Sequence, residues 1–391
     1  MTLIADSDAM AGFCRRQEQA AFIAIDTEFM RDRTYWPIPC LIQIAGPDEA
    51  AAIDPMAEGI DLTPLFALLR NPAVFKVFHA ARQDIEIFFN LMGEVPAPLF
   101  DTQVAAMVCG FGDSVSYETL ANRLAGAHID KSSRFTDWAR RPLTERQLKY
   151  ALGDVVPLRR VYERLSQRLE ATGRAHWLAE EMAELTDPAA YRLDPAEAWR
   201  RLKTRSTDRR TLALARELAR WRETTAQRRN LPRNRVLRDE ALLEIAAHAP
   251  RDAAELSHSR GLGKGFAESR FGVEILAVVA RVLASPESSW PEPEKRRELP
   301  QGLGPLCDLL RVLLKLRSEE NDVAQRLVAD AEELERIAAD DHADVRALQG
   351  WRYEVFGRDA IDLKHGRLAL TAAGKRINLV RLATPAANAA Q

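Results

Sequence analysis

The 391-residue chain has no run approaching the roughly 18 uncharged apolar residues that a membrane-spanning helix needs. Its N-terminus, MTLIADSDAM, lacks a basic segment followed by an apolar stretch, so we predict no secretory leader. The four cysteines are scattered and form no CxxC pair, which argues against a disulfide framework and a structural zinc site. We therefore expect a cytoplasmic protein of two or three domains that does not insert into membranes.

The net charge of −2 conceals an uneven distribution along the chain. Residues 1–190 carry 19 Lys and Arg against 27 Asp and Glu, whereas residues 191–260 carry 17 against 10. An acidic segment beside a basic one suits a metal-binding catalytic unit next to a unit that binds a polyanion. The same asymmetry also arises on helix surfaces that have no binding function.

Strand-like and helix-like stretches alternate over the first 160 residues, which predicts a mixed α/β domain. The predicted strands are Ala21–Asp26, Cys40–Ala45, Ala50–Ile53 and Val74–Phe78, and the predicted helices are 62–69, 82–91 and 144–169. The turn Gly46-Pro47-Asp48 predicts that the second and third strands pair as a hairpin. Thr144 is the expected N-cap of the long helix, and Pro157 is expected to kink or split it.

After residue 194 the pattern predicts helices only. Two blocks of similar length, 195–285 and 301–383, flank the proline-rich segment 286–300, which reads as a linker. Each block opens with an apolar helix, which suggests a divergent duplication. The final residues, 384–391, have no core pattern and are predicted to be disordered.

Two carboxylates near the end of the first predicted strand indicate chemistry. Asp26 and Glu28, in IDTEF, are two positions apart and should point from the same face of a strand. Two carboxylates this close repel each other unless a cation neutralises them, and Mg²⁺ or Mn²⁺ is the natural partner for oxygen ligands. A solvated acidic strand end is the alternative.

Further acids follow in settings that could converge on the same centre. Asp84 lies near the start of a predicted helix that follows a strand, and Tyr150 and Asp154 share one face of the long helix. Each of these residues alone is equally consistent with a helix cap or a surface pair.

The three patterns together, DTE, H-x4-D and Y-x3-D, resemble the motifs of DEDD-type 3′-5′ exonucleases of the tyrosine subgroup. The segments IDTEFMRDRTYWPIPCLIQIA, FHAARQDIEIFF and QLKYALGDVVPL are similar to the ribonuclease D family in particular. The two helical blocks resemble the paired HRDC domains that follow the nuclease domain in that family.

This resemblance implies a ribonuclease H-like mixed-sheet exonuclease domain over 1–190, followed by two all-α HRDC-like domains. It implies that Asp26, Glu28, Asp84 and Asp154 hold two divalent metal ions, Mg²⁺ or Mn²⁺, and that Tyr150 orients the attacking water. The implied activity is two-metal hydrolysis of RNA from a free 3′ end to 5′-mononucleotides, as in the processing of transfer RNA precursors. No obligate protein partner is evident.

Substrate contacts are harder to predict. Thr27, Phe29, His79, Lys131 and Trp138 are our candidates for holding the terminal nucleotides, with Gln43 and Arg31 as weaker ones. Phe29 and Trp138 could instead be core residues, and His79 could be a hydrogen-bonded structural histidine.

Two other functions remain open at this point. Related catalytic domains act on DNA, and the metals hardly distinguish the two sugars, so a DNA 3′-5′ exonuclease is an alternative. A catalytically inactive RNA-binding module would be expected to have lost at least one acid, and all four acids and the tyrosine are present.

Overall fold

A six-stranded mixed sheet forms the centre of the N-terminal domain. The computed structural model describes residues 2–130, 132–293 and 300–382. The strands lie in the order β1-β4-β3-β2-β5-β6, with β2–β3 and β3–β4 antiparallel and the other pairs parallel. Their bounds are β1 Thr2–Ile4, β2 Phe22–Met30, β3 Ile38–Ala45, β4 Ala50–Ile53, β5 Phe75–Phe78 and β6 Leu99–Asp101. The predicted hairpin and the mixed α/β class are confirmed.

Helices cover this sheet. Their bounds are α1 Ser7–Gln17, α2 Thr63–Arg70, α3 Arg82–Met92, α4 Thr102–Val108, α5 Tyr117–Leu120, α6 Glu145–Ala171 and α7 Ala175–Leu185, with a π-helical turn at Ala121–Ala125. The predicted cap of α6 is confirmed, because the Thr144 hydroxyl accepts from the amide of Gln147 and the Gln147 side chain accepts from the amide of Thr144.

Helix α6 is the element that positions the site. It packs across β2, β3 and β4, and its apolar stripe of Ala151, Val155 and Leu158 is buried against them. The prediction that Pro157 splits this helix is wrong, because α6 runs as one element of 27 residues through the proline. Burial of the flanking stripe offsets the loss of a single backbone hydrogen bond.

The first helical unit has a core of its own. It comprises a 3₁₀-helix at Pro195–Arg201, followed by α8 Arg209–Arg229, α9 Arg233–Val236, α10 Asp239–His248, α11 Ala253–Ser257, α12 Lys264–Ala267 and α13 Arg270–Leu283. Its buried side chains, among them Leu214, Leu218 and Ile275, form a cluster separate from that of the N-terminal domain.

A buried polar contact joins this unit to the N-terminal domain. The hydroxyl of Tyr35, in the β2–β3 loop, donates to the carboxylate of Glu223 on α8 and accepts from Arg233 at 2.9 Å. The side-chain carbonyl of Asn230 accepts from the amides of Tyr35 and Trp36, each at 3.0 Å. The loop that follows the β2 acids is therefore fastened directly to the first helical unit.

The second C-terminal unit is not all-α, contrary to our prediction. It contains α14 Gly304–Glu320, α15 Gln325–Val328, α16 Ala331–Ala339, α17 Gly350–Arg352 and α18 Arg358–Lys364, with a π-helical turn at Tyr353–Gly357, and it ends in an antiparallel hairpin of β7 Leu368–Ala373 and β8 Arg376–Arg381. The hairpin turns at Gly374, whose φ is +62°. Its strands, LALTAA and RINLVR, are largely exposed, so burial imposes little apolar pattern on them.

This second unit packs against the N-terminal domain and shares its hydrophobic core. The rings of Trp177 and Trp351 stack with their centroids 4.3 Å apart. The backbone amide of Ala324 donates to the carbonyl of Met107 at 2.9 Å. The buried guanidinium of Arg352 forms an ion pair with Glu180 at 3.1 Å and contacts the neighbouring glutamate of α7.

Some predictions lie outside the described residues. These are the candidate Lys131, part of the segment 286–300 and the tail 384–391. Within the part of the chain that the structure describes, no helix has the length and apolar character needed to cross a bilayer.

Candidate active site

Three acidic side chains from two elements meet at one edge of the central sheet. Asp26 and Glu28 project from β2, and Asp154 comes from the facing helix α6. One carboxylate oxygen from each lies within 4.8 Å of the other two. Strand alternation and helix packing thus bring together residues more than 120 positions apart, as the motif spacing predicted.

The electrostatics of this cluster favour a cation. Burial, reinforced by the charges of Asp26 and Asp154, raises the pKa of Glu28 to about 9. Burial and the charge of Asp154 raise the pKa of Asp26. Burial likewise raises the pKa of Asp154, to about 7, although a hydrogen bond from Tyr150 and the nearby Arg134 oppose the shift. The cluster therefore resists ionisation until positive charge is supplied.

Asp84 lies beside this cluster rather than inside it. It is the third residue of α3, only 7 % exposed, and its carboxylate accepts a hydrogen bond from the Thr27 hydroxyl at 2.5 Å. Burial and the charge of Asp26 raise its pKa. Thr27, which we expected to contact substrate, is itself buried and serves as the donor to Asp84.

Tyr150 lies one turn before Asp154 on α6 and lines the same cleft. Burial and the surrounding acids raise its pKa, so the hydroxyl keeps its proton at neutral pH and acts as a hydrogen-bond donor. Trp138 packs against Tyr150 with the ring centroids 5.9 Å apart and is only 2 % exposed. Trp138 is therefore a core residue that supports the tyrosine, and the prediction that it contacts a nucleotide is wrong.

The cleft above the acids has a volume of about 310 Å³ and contains two further residues that were not among the named site candidates. Arg134 and Tyr117 both line it. Burial and the charges of Asp154 and Asp26 raise the pKa of the Tyr117 hydroxyl, which places it near the carboxylates. Arg134 lies in KSSRFTDW, the segment that contains the candidates Lys131 and Trp138, and its mix of Lys, Arg and Trp suits a loop that contacts nucleotides. Tyr117 had no recognisable signal, since its position depends on the turn that follows α4.

His79 lines the cleft as expected, and it is also hydrogen-bonded. Its Nδ1 lies 3.0 Å from the Thr102 hydroxyl, and its ring packs on Tyr117 with a centroid distance of 5.5 Å. Burial lowers its pKa to about 4, so the imidazole is neutral and cannot attract a phosphate by charge. Next to it, the Asp101 carboxylate accepts from the amides of Ala80 and Ala81 and so holds the turn that leads into α3.

The remaining candidates make other contacts. Gln43 pairs across the sheet with Asp26 and is 0 % exposed, so it cannot touch substrate in this conformation. Arg31 forms a two-pronged ion pair with Glu86 at 2.8 and 2.9 Å. Phe29 is half-buried beyond a β-bulge that breaks the pairing register after Glu28, and it belongs to none of the hydrophobic clusters of the described residues.

The donor set fits divalent metal. It consists of carboxylate oxygens, which hard cations prefer, and contains no thiolate or imidazole in the cluster of described residues. The pKa values of Asp26, Glu28 and Asp154 are all raised. Carboxylates this close repel one another when ionised, and a bound cation would offset that repulsion.

Comparisons with known proteins agree with this geometry. Residues 1–170 match the family described as 3′-5′ exonuclease, and residues 211–279 match the HRDC domain. The chain is 51 % identical over 380 residues to ribonuclease D of Granulibacter bethesdensis, covering 97 % of this chain and 96 % of that protein. It is 52 % identical to ribonuclease D of Acidiphilium cryptum, covering 97 % of each.

Among solved structures, that of Escherichia coli RNase D, described as an exoribonuclease involved in structured RNA processing, superposes with a TM-score of 0.81. The two share 32 % sequence identity, and the match covers 93 % of this chain and 98 % of that one. A relationship that spans both the catalytic domain and the helical units leaves little of the chain unmatched. The chain therefore belongs to the ribonuclease D family of 3′-5′ exonucleases.

Proposed function

We propose that this 3′-5′ exoribonuclease removes nucleotides singly from free 3′ ends, including those of transfer RNA precursors, and releases 5′-mononucleotides. The activity class follows from membership of the family. The observation that carries the chemistry is the meeting of Asp26, Glu28 and Asp154 beside Tyr150 in one cleft.

We assign the cation ligands to Asp26, Glu28 and Asp154, with Asp84 as a fourth acid that acts from beside them. Two bound divalent ions, Mg²⁺ or Mn²⁺, would supply a deprotonated water and stabilise the charge on the leaving 3′ oxygen. Thr27 holds the Asp84 carboxylate in place. Tyr150 keeps its proton and would donate a hydrogen bond that orients the water, which assigns the chain to the tyrosine subgroup.

The first helical unit would hold the body of the RNA. Arg220, Arg228 and Arg281 line a groove of about 550 Å³ between α8 and α13 and are exposed. None of the three has an ion-pair partner among the described residues. Guanidinium groups that form no ion pair are available to phosphates, and each contact would make binding more salt-sensitive.

We assign residues 301–383 to a second, divergent HRDC-like unit with the hairpin as an addition. In support, the first long helix of each unit, α8 or α14, buries a row of leucine side chains. Its role differs from that of the first unit, because it completes the core of the catalytic domain. Residues 1–190, 195–285 and 301–383 remain our division of the chain.

The decisive experiment uses matched RNA and DNA oligonucleotides with free or phosphate-blocked 3′ ends, with Mg²⁺, Mn²⁺ or chelator. We expect 5′-mononucleotides only from RNA with a free 3′ end and only when a divalent ion is present. Equal cleavage of DNA would favour the DNA exonuclease, and cleavage of blocked ends would contradict the exonucleolytic reaction. Asp26→Asn should abolish turnover without unfolding the protein, because it removes a carboxylate central to the cluster, and near-normal activity would refute the ligand assignment.

The RNA groove is tested by replacing all three of its arginines with glutamine. We expect weaker RNA binding and a salt slope smaller by about 2, since each single-strand phosphate contact contributes roughly 0.7. Glutamine at the exposed but ion-paired Arg70 is the control. An RNA affinity and a salt slope equal to those of the wild type would show that RNA does not bind in this groove.

A further inference from the structure

The turn between the π-helix and α6 presents two residues that the catalytic chemistry does not use. Phe135 is 92 % exposed, more than any other large hydrophobic side chain among the described residues. Arg134 lies next to it, and its guanidinium stacks over the Phe135 ring at 5.3 Å from the centroid. Single exposed apolar residues are ordinary on protein surfaces. A phenyl ring that projects beside a catalytic cleft is a more specific arrangement.

The turn is anchored on both sides of this pair. Ser133 is buried, and its carbonyl accepts from the Thr136 hydroxyl at 2.8 Å. The Ser132 hydroxyl donates to Asp130 at 2.8 Å and accepts from Arg146 on α6 at 3.0 Å. On the far side the chain returns to the buried Trp138. Residues 134 and 135 are therefore held outward by fixed neighbours.

Arg134 belongs to the cleft, whereas Phe135 stands outside it. Arg134 lines the cavity together with Asp26, Tyr150 and Asp154. Within the described part of the chain it forms no hydrogen bond or ion pair, and its guanidinium contacts only the Phe135 ring through a cation–π interaction. Its positive charge opposes the rise in the pKa values of Asp154 and Glu28. Phe135 is not among the residues that line the cavity.

These positions match the two chemical features of a polynucleotide next to its scissile bond. A guanidinium at the cleft wall suits a phosphate. An aromatic ring with one face on a cation and the other open suits a nucleobase, which stacks regardless of its identity. The terminal nucleotide must enter the cleft to reach the acids, so the ring outside meets the nucleotide before it.

We propose that Arg134 and Phe135 form a substrate subsite at the mouth of the cleft, in which Arg134 binds the scissile phosphate and Phe135 stacks on the base immediately 5′ to it. This proposal rests on the proposed exonuclease function and adds a residue-level account of how the 3′ end is held. The subsite is indifferent to sequence, because a stacking contact reads only the flat face of the base.

Measurements of RNA binding test this subsite, whereas measurements of turnover test the proposed function on which it rests. The affinity of a fluorescent single-stranded RNA is measured by anisotropy in chelator, where no turnover is needed. Phe135→Ala should weaken binding about 5- to 100-fold, whereas Phe135→Trp should keep it. Arg134→Gln should weaken binding and lower the salt slope by about 0.7.

Phe75→Ala is the matched control for Phe135→Ala. Phe75, the other exposed phenylalanine, begins β5 at the opposite end of the strands, and Phe75→Ala should bind RNA normally. An RNA without a base at the penultimate position should bind wild type and Phe135→Ala equally. A wild-type affinity for Phe135→Ala, or an equal loss on the abasic RNA, would overturn the subsite. Failure of the wild type to release nucleotides with metal, despite binding, would instead contradict the proposed function.

Discussion

Replacing Glu28 by glutamine should inactivate the enzyme and at the same time stabilise its metal-free form. Glu28 is half-buried among acids, and its pKa is raised from the ordinary 4.5 to about 9. Among the described residues its carboxylate forms no hydrogen bond, so the neutral isostere glutamine breaks no hydrogen bond at this position. The effect on stability therefore reduces to the cost of keeping this group uncharged.

The sign and size follow from proton linkage. Between pH 4.5 and 9 the folded state holds a proton on Glu28 that the unfolded chain has released, so stability falls as the pH rises through this window. Each pH unit costs about 1.4 kcal/mol, which amounts to about 3 kcal/mol at pH 7. Below pH 4.5 the group is protonated in both states and the cost disappears.

Hydrogen exchange across a urea series in chelator, read at peptides from β2 and α6, measures the catalytic domain separately from the first helical unit. We expect Glu28→Gln to be about 3 kcal/mol more stable than wild type at pH 7 and less than about 1 kcal/mol more stable at pH 5. Exposed Glu58→Gln is the matched control. Added Mn²⁺ should narrow the gap at pH 7 by stabilising the wild type. A variant no more stable than wild type, or a gap independent of pH, would refute the electrostatic account of the site.

Three further predictions address other parts of the molecule. Tyr150→Phe should lower kcat about 100-fold or more while leaving Mn²⁺ affinity unchanged by calorimetry, and an unaltered rate would remove the hydroxyl from the reaction. Trp351→Ala should destabilise the catalytic domain by about 3–5 kcal/mol in urea unfolding, because it removes the stack on Trp177, and a loss confined to the C-terminal unit would contradict the shared core. Glu223→Gln should cost about 1.5–3 kcal/mol, since it removes the charge of a buried carboxylate that accepts hydrogen bonds from Arg233 and Tyr35. Burial alone would raise the pKa of Glu223, but hydrogen bonds from Arg233 and Tyr35 lower it. The stabilisation by this carboxylate is therefore present above pH 4.5 and is lost at more acidic pH. A difference in unfolding free energy that does not depend on pH would contradict this account.

Local patterns in the sequence located most of the central sheet. Apolar runs and turn residues placed β3, β4 and the N-cap of α6 within a residue or two of their observed positions. The meeting of Asp26, Glu28 and Asp154 was also predictable, because it depends on strand alternation and on a long helix crossing a sheet.

Features that depend on tertiary packing were not predictable in this way. Trp138 and Thr27 occur in a motif beside charged residues, yet one supports Tyr150 and the other donates to Asp84. Their roles depend on which face of the turn or strand is covered, and no local pattern records that. The C-terminal hairpin escaped notice because each of its strands has only six residues and most of them are exposed.

Nothing in the helical periodicity of 301–383 indicated that this segment packs onto the α4 and α7 region of the catalytic domain. The two helical units look alike in sequence, but one has a core of its own and the other shares a core. The difference lies in a few contacts such as that between Trp177 and Trp351, which are far apart along the chain.

The shared core has a consequence for synthesis on the ribosome. The catalytic domain emerges first, but the apolar surface around Trp177 and Met107 is covered only when residues up to about 363 have been made. At roughly 5–20 residues per second, a delay of about 10–40 seconds separates these events. The first helical unit, with its own core, can fold during that interval. During this interval the nascent N-terminal domain already contains its acids, but its apolar surface around Trp177 and Met107 is exposed to solvent. We expect its final folding step to follow the synthesis of the last hundred residues.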